Sequence, residues 1–228
     1  HIALIGGGVG ITPIRALLEE LDIEKEIDVI FRASKPEDIL FKRELDELAR
    51  IRGARIHYLI GSRKEHPMTP KYISKYLPAF KDSDVYVCGP TALVDAAREA
   101  AKEVGAQFIY VSTDFIFDGS SGPLTEEAIP SPVNFYGQSK LAAEKLVMAY
   151  PGKWTIIRTV LVYGVTPEKS RSNIVLWVKN SLEAGKTIQV VDDQFRTPTL
   201  AEDLAQGCLL AAERGAAGIF NISGSELL

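Results

Sequence analysis

The sequence has few cysteines, no long apolar run and no cluster of positive charge. Its 2 cysteines, Cys88 and Cys208, lie far apart and outside Cys-x-x-Cys spacing, which argues against a disulfide framework and a structural zinc site. No apolar stretch approaches the ~20 residues that cross a bilayer, and no charged-then-apolar leader precedes the first predicted strand. These absences predict a cytoplasmic, unsecreted protein without a membrane partner, or a chain with no native location.

The charge balance argues against a nucleic-acid partner. The 228 residues include 26 Lys and Arg against 30 Asp and Glu, a formal net charge of -4, and no Lys/Arg run is longer than two. A nucleic-acid surface needs clustered positive charge. The histidines, His1, His57 and His66, lie in no metal-ligand spacing, so no metal is expected. Small molecules are the expected ligands, and the oligomeric state is left open.

Short β-branched runs alternate with amphipathic segments along the whole chain. This order predicts an α/β fold with a single doubly wound, mostly parallel Rossmann-like sheet of about seven strands and helices on both faces. Ligands of such sheets bind beyond the carboxyl ends of the strands. We predict strands near 2–5, 27–32, 55–60, 84–88, 107–112, 155–161 and 218–222, and helices near 12–21, 37–51, 70–77, 91–104, 135–149, 171–184 and 201–213.

A glycine-rich turn follows the first predicted strand. Residues 6–13 read Gly-Gly-Gly-Val-Gly-Ile-Thr-Pro and run into a helix, so backbone N–H groups and the helix dipole can hold a phosphate there. The alternative is a tight turn without a ligand. Ile11 stands where the usual dinucleotide fingerprint has its third glycine, and the second strand ends in Arg32 rather than an acid. A cation there suits a 2′-phosphate, or is a solvated strand-end charge.

With the Cys-Gly-Pro turn at 88–90, residues 1–105 resemble the NADP-binding domain of the ferredoxin-NADP reductase family. The resemblance implies NADP as the cofactor, a Ser-Arg pair at 62–63 for its 2′-phosphate, and Tyr72 as a weaker candidate for stacking on adenine. No flavin-binding barrel is present, so FAD is not expected. The implied cofactor-binding residues are Gly6, Gly7, Gly8, Val9, Gly10, Thr12, Arg32, Ser34, Ser62, Arg63, Cys88, Gly89 and Pro90. Arg63 alone is also readable as a solvated charge, and Cys88 as a small buried residue.

Residues 106–228 resemble a different family, the extended short-chain dehydrogenases/reductases, and among them the dTDP-4-dehydrorhamnose reductases. The matching segments are Val-Ser-Thr-Asp-Phe-Ile-Phe-Asp-Gly at 111–119, Tyr-Gly-Gln-Ser-Lys at 136–140 and Asp-Gln-Phe-Arg-Thr-Pro-Thr at 193–199. The resemblance also implies that Lys140 holds the nicotinamide ribose and that Arg196 contacts the phosphates of a sugar nucleotide. A loop salt bridge is the equal alternative for Arg196.

The chemistry of the second half can be argued from three side chains. Tyr136 and Lys140 are four apart on a predicted helix, so they share a face. A phenol with an ordinary pKa of about 10 is a poor acid at neutral pH, and a nearby ammonium is expected to lower that pKa. Tyr136 could then protonate a ketone oxygen, while Thr113 donates a hydrogen bond to the same oxygen.

Three hypotheses about the whole chain follow. Both ends read as cut, and the second half lacks the Thr-Gly-x-x-Gly-x-x-Gly turn of its family, so the first hypothesis is a designed or chimeric Rossmann-like protein. Its halves, 1–105 and 106–228, join near Gly105 in one continuous domain that retains some NADP(H) binding and has weak or lost catalysis. The second is an NADPH-dependent reductase of a keto sugar nucleotide or simple ketone. The third is a non-catalytic NADP-binding regulatory module.

Overall fold

The structure, a computed structural model, describes residues 1–21, 24–164, 174–190 and 193–227. Within these ranges no helix is both long and apolar enough to cross a membrane. The strands are β1 (Ile2–Gly7), β2 (Ile27–Ala33), β3 (Arg55–Ile60), β4 (Asp84–Cys88), β5 (Gln107–Thr113), β6 (Trp154–Thr159), β7 (Val162–Tyr163), β8 (Thr199–Leu200) and β9 (Gly218–Ile222). The helices are α1 (Ile11–Glu20), α2 (Lys42–Arg52), α3 (Pro70–Tyr76), α4 (Thr91–Val104), α5 (Phe135–Met148), α6 (Ile174–Glu183) and α7 (Ala201–Glu213).

Seven strands form one parallel sheet in the order β3-β2-β1-β4-β5-β6-β9, which confirms the predicted fold class. Strand order runs outward from β1 in one direction through β2 and β3, and in the other through β4. The order therefore reverses between β1 and β4. In a doubly wound sheet a crevice forms at the carboxyl ends of the strands flanking this point.

Both faces of the sheet are covered, because the central strands are apolar on both sides. All six residues of β1 are buried. Leu4 belongs to a core that also includes residues of α1 and α7, while Ala3 and Ile5 belong to a second core with residues of α4 and α5. Each fully buried Leu or Ile side chain contributes about 1.5–3 kcal/mol.

The sheet runs without interruption past residue 105. Gly105, with φ 72°, ends α4, and β5 then pairs in parallel with β4 in a register that sets Val85 opposite Phe108. Above the sheet, α4 packs against α5. Thr91 at the start of α4 donates its hydroxyl proton to the Ser139 carbonyl on α5 at 2.8 Å. The two segments are joined by strand pairing, helix packing and this hydrogen bond.

Of the predicted boundaries that differ from the structure, two have a clear local reason. The helix expected near 37–51 begins at Lys42, because Phe41 has a left-handed φ of 55° and ends the preceding turn. The strand expected near 155–161 ends at Thr159. The Val160 carbonyl accepts a hydrogen bond from the Thr199 hydroxyl at 2.6 Å instead of pairing within the sheet. The short strands β7 and β8 were not predicted, since two residues give no pattern. Residues 171–173 of the predicted sixth helix lie outside the described residues.

A buried ion pair fixes α5 against β6. Arg158 on β6 donates from Nε and Nη2 to the two carboxylate oxygens of Glu144 on α5, at 3.1 and 2.8 Å. Both side chains are buried. Arg158 also donates to the Glu126 carbonyl at 3.1 Å. The bidentate geometry sets the position of the helix that carries Tyr136 and Lys140.

Replacing Glu144 by alanine leaves the Arg158 guanidinium buried without its carboxylate. We expect Glu144→Ala to lower the free energy of unfolding by about 3–5 kcal/mol. Lys145→Ala, one residue along the same helix and exposed, is the matched control and should change it by less than about 0.5 kcal/mol. Urea denaturation measures both. Equal effects of the two substitutions would contradict the assigned role of the ion pair.

Candidate active site

The turns that follow β1 and β4 meet closely at the point where strand order reverses. A Cβ on Gly10 would run into the Cys88 carbonyl, and a Cβ on Gly89 would lie 3.2 Å from the Gly7 nitrogen. Only residues without a side chain permit this approach. Gly8 has φ 57° and nothing within 4 Å of its Cβ position, so its backbone faces open space.

Two helices begin beside these turns without a side-chain cap. A 3-10 turn at Gly8–Gly10 leads directly into α1, with the Ile11 N–H donating to the Gly8 carbonyl, and α4 starts at Thr91 after Pro90. Neither Gly7 nor Pro90 makes a side-chain capping bond. The N–H groups of a first helical turn have no partner within the helix, and the helix dipole makes this end positive. The meeting point of the two turns is therefore suited to an anionic group.

A cavity of about 560 Å³ opens beside the glycine turn and is lined by both halves of the chain. The first half contributes Gly7, Gly8, Val9, Gly10, Thr12, Pro13, Cys88, Gly89 and Pro90, and the second half contributes Val111, Ser112, Thr113, Asp114, Phe115, Phe135, Tyr136, Ser139, Lys140, Thr159, Leu161, Val162 and Leu204. We call it the catalytic cavity. It brings together the glycine turn and the three predicted catalytic residues, which lie far apart in sequence.

A second cavity, of about 630 Å³, lies on the other side of the glycine turn. We call it the basic cavity. It contains the predicted residues Arg32, Ser34, Ser62 and Arg63, and it shares Gly7, Gly8, Val9 and Pro90 with the catalytic cavity. The two cavities are thus adjacent across one turn. Gly6 and Tyr72 line neither: Gly6 lies within β1, and the Tyr72 hydroxyl is hydrogen-bonded to His66 Nδ1 at 2.7 Å.

The two arginines of the basic cavity differ in how they are engaged. Arg32 donates to the carbonyls of Leu59 at 3.0 Å and Gly61 at 2.6 Å, and also to that of Ala33, so its guanidinium ties together the ends of β2 and β3. Burial, followed by the charge of Arg63, lowers the pKa of Arg32. Arg63 is exposed and has no ion-pair partner among the described residues. Arg63 is therefore available to a ligand, as is the exposed Lys35 that lines the same cavity.

A hydrogen-bonded turn holds the Ser-Arg pair at the rim of the basic cavity. The Ser62 N–H donates to Glu65 Oε2 at 2.6 Å, and the Glu65 N–H donates to the Ser62 hydroxyl at 3.3 Å. The bond from the Ser62 backbone is the largest cause of the lowered pKa of Glu65. The Ser62 side chain also hydrogen-bonds to the Glu65 carboxylate, which lowers the pKa of Glu65 further.

The three predicted catalytic residues converge from β5 and α5. Thr113 is the last residue of β5, and Tyr136 and Lys140 lie in the first turns of α5. Gly137 makes this possible, because a Cβ there would run into the Phe115 carbonyl. Burial raises the pKa of Tyr136, and the opposite effect of the Thr113 side chain offsets only part of this rise. The expected lowering of that pKa by Lys140 is not found.

Lys140 is buried, and its ammonium is bonded within the protein. Its Nζ donates to the Val111 carbonyl at 2.9 Å and lies 4.5 Å from the centre of the Tyr110 ring. The Cys88 thiol donates to the same carbonyl at 3.7 Å. Burial lowers the pKa of Lys140 and raises that of Cys88, while each group partly offsets the shift of the other. The predicted contact residue Cys88 is thus buried beside Lys140.

Asp114 and Phe115 are site residues that the sequence argument did not assign. Arg196 donates to Asp114 Oδ2 at 2.5 Å, and its guanidinium lies 5.1 Å from the centre of the Phe115 ring. The Phe115 ring meets the Tyr136 ring edge-on, with centres 5.7 Å apart. Arg196 forms a loop salt bridge with Asp114 in the structure. The sequence does not reveal Asp114 as the partner of Arg196, because the two residues are 82 positions apart.

In the part of the chain that the structure describes, no group of three or more His, Cys, Asp and Glu side chains is arranged to hold a metal ion. The site consists of glycine turns, uncapped helix starts, hydroxyl groups and one buried ammonium.

Solved structures with the same fold include several sugar-nucleotide enzymes. A hypothetical dTDP-4-dehydrorhamnose reductase from Sulfolobus tokodaii superposes with a TM-score of 0.73 at 23% identity, over 100% of this chain and 78% of that chain. A dTDP-4-dehydrorhamnose reductase from Bacillus anthracis in complex with NADP superposes with a TM-score of 0.67 at 21% identity, over 99% of this chain and 75% of that chain. At such identities the likeness shows a shared Rossmann-like fold.

Curated relatives are more similar in sequence but longer. The methionine adenosyltransferase 2 subunit beta of Rattus norvegicus is 32% identical over 183 residues, which covers 75% of this chain and 53% of the relative. The dTDP-4-keto-6-deoxy-D-glucose reductase of Streptomyces niveus is 36% identical over 130 residues, 55% of this chain and 44% of the relative. The chain spans about half the length of the curated relatives it matches.

Two family profiles match the chain. The profile described as oxidoreductase NAD-binding domain matches residues 4–99, which include the glycine turn and the basic cavity. The profile described as RmlD substrate binding domain matches residues 81–227, which include β4, the three predicted catalytic residues and Arg196. Because this second match covers well over half of its length, the chain belongs to the RmlD substrate binding domain family.

Proposed function

We propose that this chain is an NADP(H)-dependent reductase that acts on the carbonyl group of a keto sugar nucleotide or a simple ketone. One observation carries the proposal: the glycine turn at residues 7–10 and the side chains of Thr113, Tyr136 and Lys140 line the same cavity. The basic cavity continues from that turn toward Arg63. A dinucleotide lying across the turn would have its phosphorylated ribose at one end and its reactive ring at the other.

The residues present fit this cofactor. The open backbone at Gly8 and the uncapped starts of α1 and α4 suit a pyrophosphate, and exposed Arg63 suits a 2′-phosphate. Proteins of the same fold were solved with NADP and with NAD, so exposed Arg63 is the feature that favours the phosphorylated dinucleotide here. NADPH, when bound, would supply the hydride. Gly7–Gly10, Ser62, Arg63 and Lys140 would hold it.

The side chains around the carbonyl would manage its proton. Because its pKa is raised, Tyr136 keeps its proton at neutral pH and can give it to the oxygen that gains charge. Thr113 can share a hydrogen bond with that phenol. Lys140, buried and bonded to the Val111 carbonyl, would hold the nicotinamide ribose. Phe115 and Phe135 also line this cavity.

The relatives favour a working reductase over a designed protein without catalysis. The Streptomyces relative is named a dTDP-4-keto-6-deoxy-D-glucose reductase, and it is similar to this chain over more than half of the chain. Nothing in the comparisons supports a designed or de novo origin. The substrate class proposed here follows from the name of that relative together with the Thr113, Tyr136 and Lys140 constellation.

We further propose that the two halves of the chain have separate ancestries, as in the hypothesis of a chimera joined near Gly105. The two different family profiles support this division. Their matches overlap at residues 81–99, upstream of Gly105. The alignment with the rat relative covers 75% of the chain. This is a larger share than residues 106–228 make up, so the similarity to that relative crosses the proposed junction.

The proposal predicts that Arg63 discriminates NADPH from NADH. Loss of a charge-assisted hydrogen bond to the 2′-phosphate should weaken NADPH binding about tenfold in Arg63→Ala and leave NADH binding unchanged. Fluorescence titration with each nucleotide measures the two affinities. Arg50→Ala, an exposed arginine on α2, is the control and should bind both nucleotides as the wild type does. Equal weakening of NADPH and NADH in Arg63→Ala would contradict the assignment.

The proposal also predicts that Tyr136 provides the acid. Tyr136→Phe should reduce the rate of NADPH oxidation about 10²–10⁴-fold with dTDP-4-keto-6-deoxy-D-glucose, while NADPH affinity is kept. Tyr163→Phe, at an exposed tyrosine that lines neither cavity, should retain the wild-type rate. Turnover by Tyr136→Phe at the wild-type rate would refute the mechanism.

The pH dependence follows from the direction of the Tyr136 pKa. A raised pKa means that the phenol holds its proton until the pH exceeds the ordinary value of about 10. The single-turnover rate should therefore show no alkaline loss due to Tyr136 below that pH. A loss near neutral pH that disappears in the Tyr136→Phe background would overturn this assignment.

A further inference from the structure

Four side chains form a continuous path from the mouth of the catalytic cavity to its centre. Arg196 donates to Asp114 Oδ2 at 2.5 Å, and the other oxygen of the same carboxylate, Oδ1, accepts from the Thr113 hydroxyl at 3.1 Å. Thr113 and Tyr136 line the same cavity, and the Thr113 side chain lowers the pKa of the Tyr136 phenol. The carboxylate is thus shared between a guanidinium outside and a hydroxyl inside.

Thr113 has one proton and two possible recipients. In the structure it donates that proton to Asp114, and its oxygen accepts from the Phe115 N–H at 3.3 Å. The expectation that Thr113 donates into the cavity is therefore not met while Asp114 holds the proton. Once Tyr136 has given up its own proton, the phenolate needs a donor. Asp114 and the phenolate then compete for the same hydroxyl proton.

We propose that Arg196 is a positioning residue, which decides through Asp114 how the Thr113 proton is shared with the Tyr136 phenol. Paired with Arg196, the Asp114 carboxylate is a weaker competitor, because part of its charge is compensated. The hydroxyl can then turn to the phenolate. Without Arg196 the carboxylate keeps the Thr113 proton and repels negative charge on Tyr136. This inference rests on the proposed reductase function and explains why a cation stands outside the cavity.

The other ionisable groups around this part of the site come from four segments of the chain. Cys88 at the end of β4 is a buried thiol, and Lys140 lies one turn along the same helix and bonds to the Val111 carbonyl. Asp114 follows β5 directly. Cys88 and Asp114 both raise the pKa of Tyr136. Arg196, on the loop before β8, is the cation that offsets Asp114. Phe115 holds its guanidinium in place by packing beneath it.

The experiment is an ultraviolet titration of Tyr136 in the full chain without cofactor, read as the difference between each variant and the same variant carrying Tyr136→Phe. We expect Arg196→Met to move the Tyr136 titration to higher pH and Asp114→Asn to move it to lower pH. Arg196→Lys keeps the charge and should restore most of the wild-type value. The double variant, Asp114→Asn with Arg196→Met, should titrate like Asp114→Asn alone, because Arg196 acts only through Asp114.

Arg214→Ala, an exposed arginine after α7, is the matched control and should titrate as the wild type does. If the salt bridge between Arg196 and Asp114 only stabilised the loop, its loss would change stability without moving the Tyr136 titration. Unchanged titrations in folded Arg196→Met and Asp114→Asn would therefore overturn the proposal. So would a shift in the double variant equal to the sum of the single shifts.

Activity gives a second readout in the same variants. We expect kcat of Arg196→Met to fall about tenfold or more, with rescue by Arg196→Lys, and KM to change less. If the wild type reduces no ketone but the titration shifts appear, the reductase proposal fails and the coupling between Arg196 and Tyr136 stands. If the wild type is active and the titrations do not shift, the coupling alone fails.

Discussion

The close approach of the turn after β1 to the end of β4 is the constraint on which the site depends. Gly10 lies against the Cys88 carbonyl, where no side chain fits. This contact sets the starts of α1 and α4 side by side at the reversal of strand order. Since β5 pairs with β4 directly, only β4 separates Thr113, at the end of β5, from the glycine turn that follows β1. Backbone packing and strand order therefore bring a phosphate-binding turn and a proton donor into one cavity.

Buried polar groups support this arrangement at a cost to stability. Lys140 is an ammonium 7% exposed, held by one carbonyl and the face of Tyr110. Taking a charge out of water is unfavourable unless it is well paired, and burial lowers the Lys140 pKa accordingly. The pair of Arg158 and Glu144 is better matched and fixes α5 below it. Lys140 is buried at a cost to stability and lines the same cavity as Tyr136, which indicates that its position serves the function of the site.

Much of the fold was predictable because its signals are local. Apolar runs and glycine or proline boundaries gave the seven sheet strands, and the spacing of Tyr136 and Lys140 gave a shared helix face. Contacts between distant segments were not readable. Sequence position made Arg32 and Arg63 equivalent, yet the ends of β2 and β3 engage Arg32 and leave Arg63 exposed. The predicted direction of the Tyr136 pKa was also wrong, because burial of the phenol raises that pKa.

The central claim is that the basic cavity and the catalytic cavity together hold one dinucleotide across the glycine turn. A crystal structure of the chain with NADPH tests it most directly. The account predicts the 2′-phosphate within hydrogen-bonding distance of Arg63 and the nicotinamide ring beside Tyr136. A nucleotide bound with its ring in solvent, or with its pyrophosphate away from residues 7–10, would contradict the account.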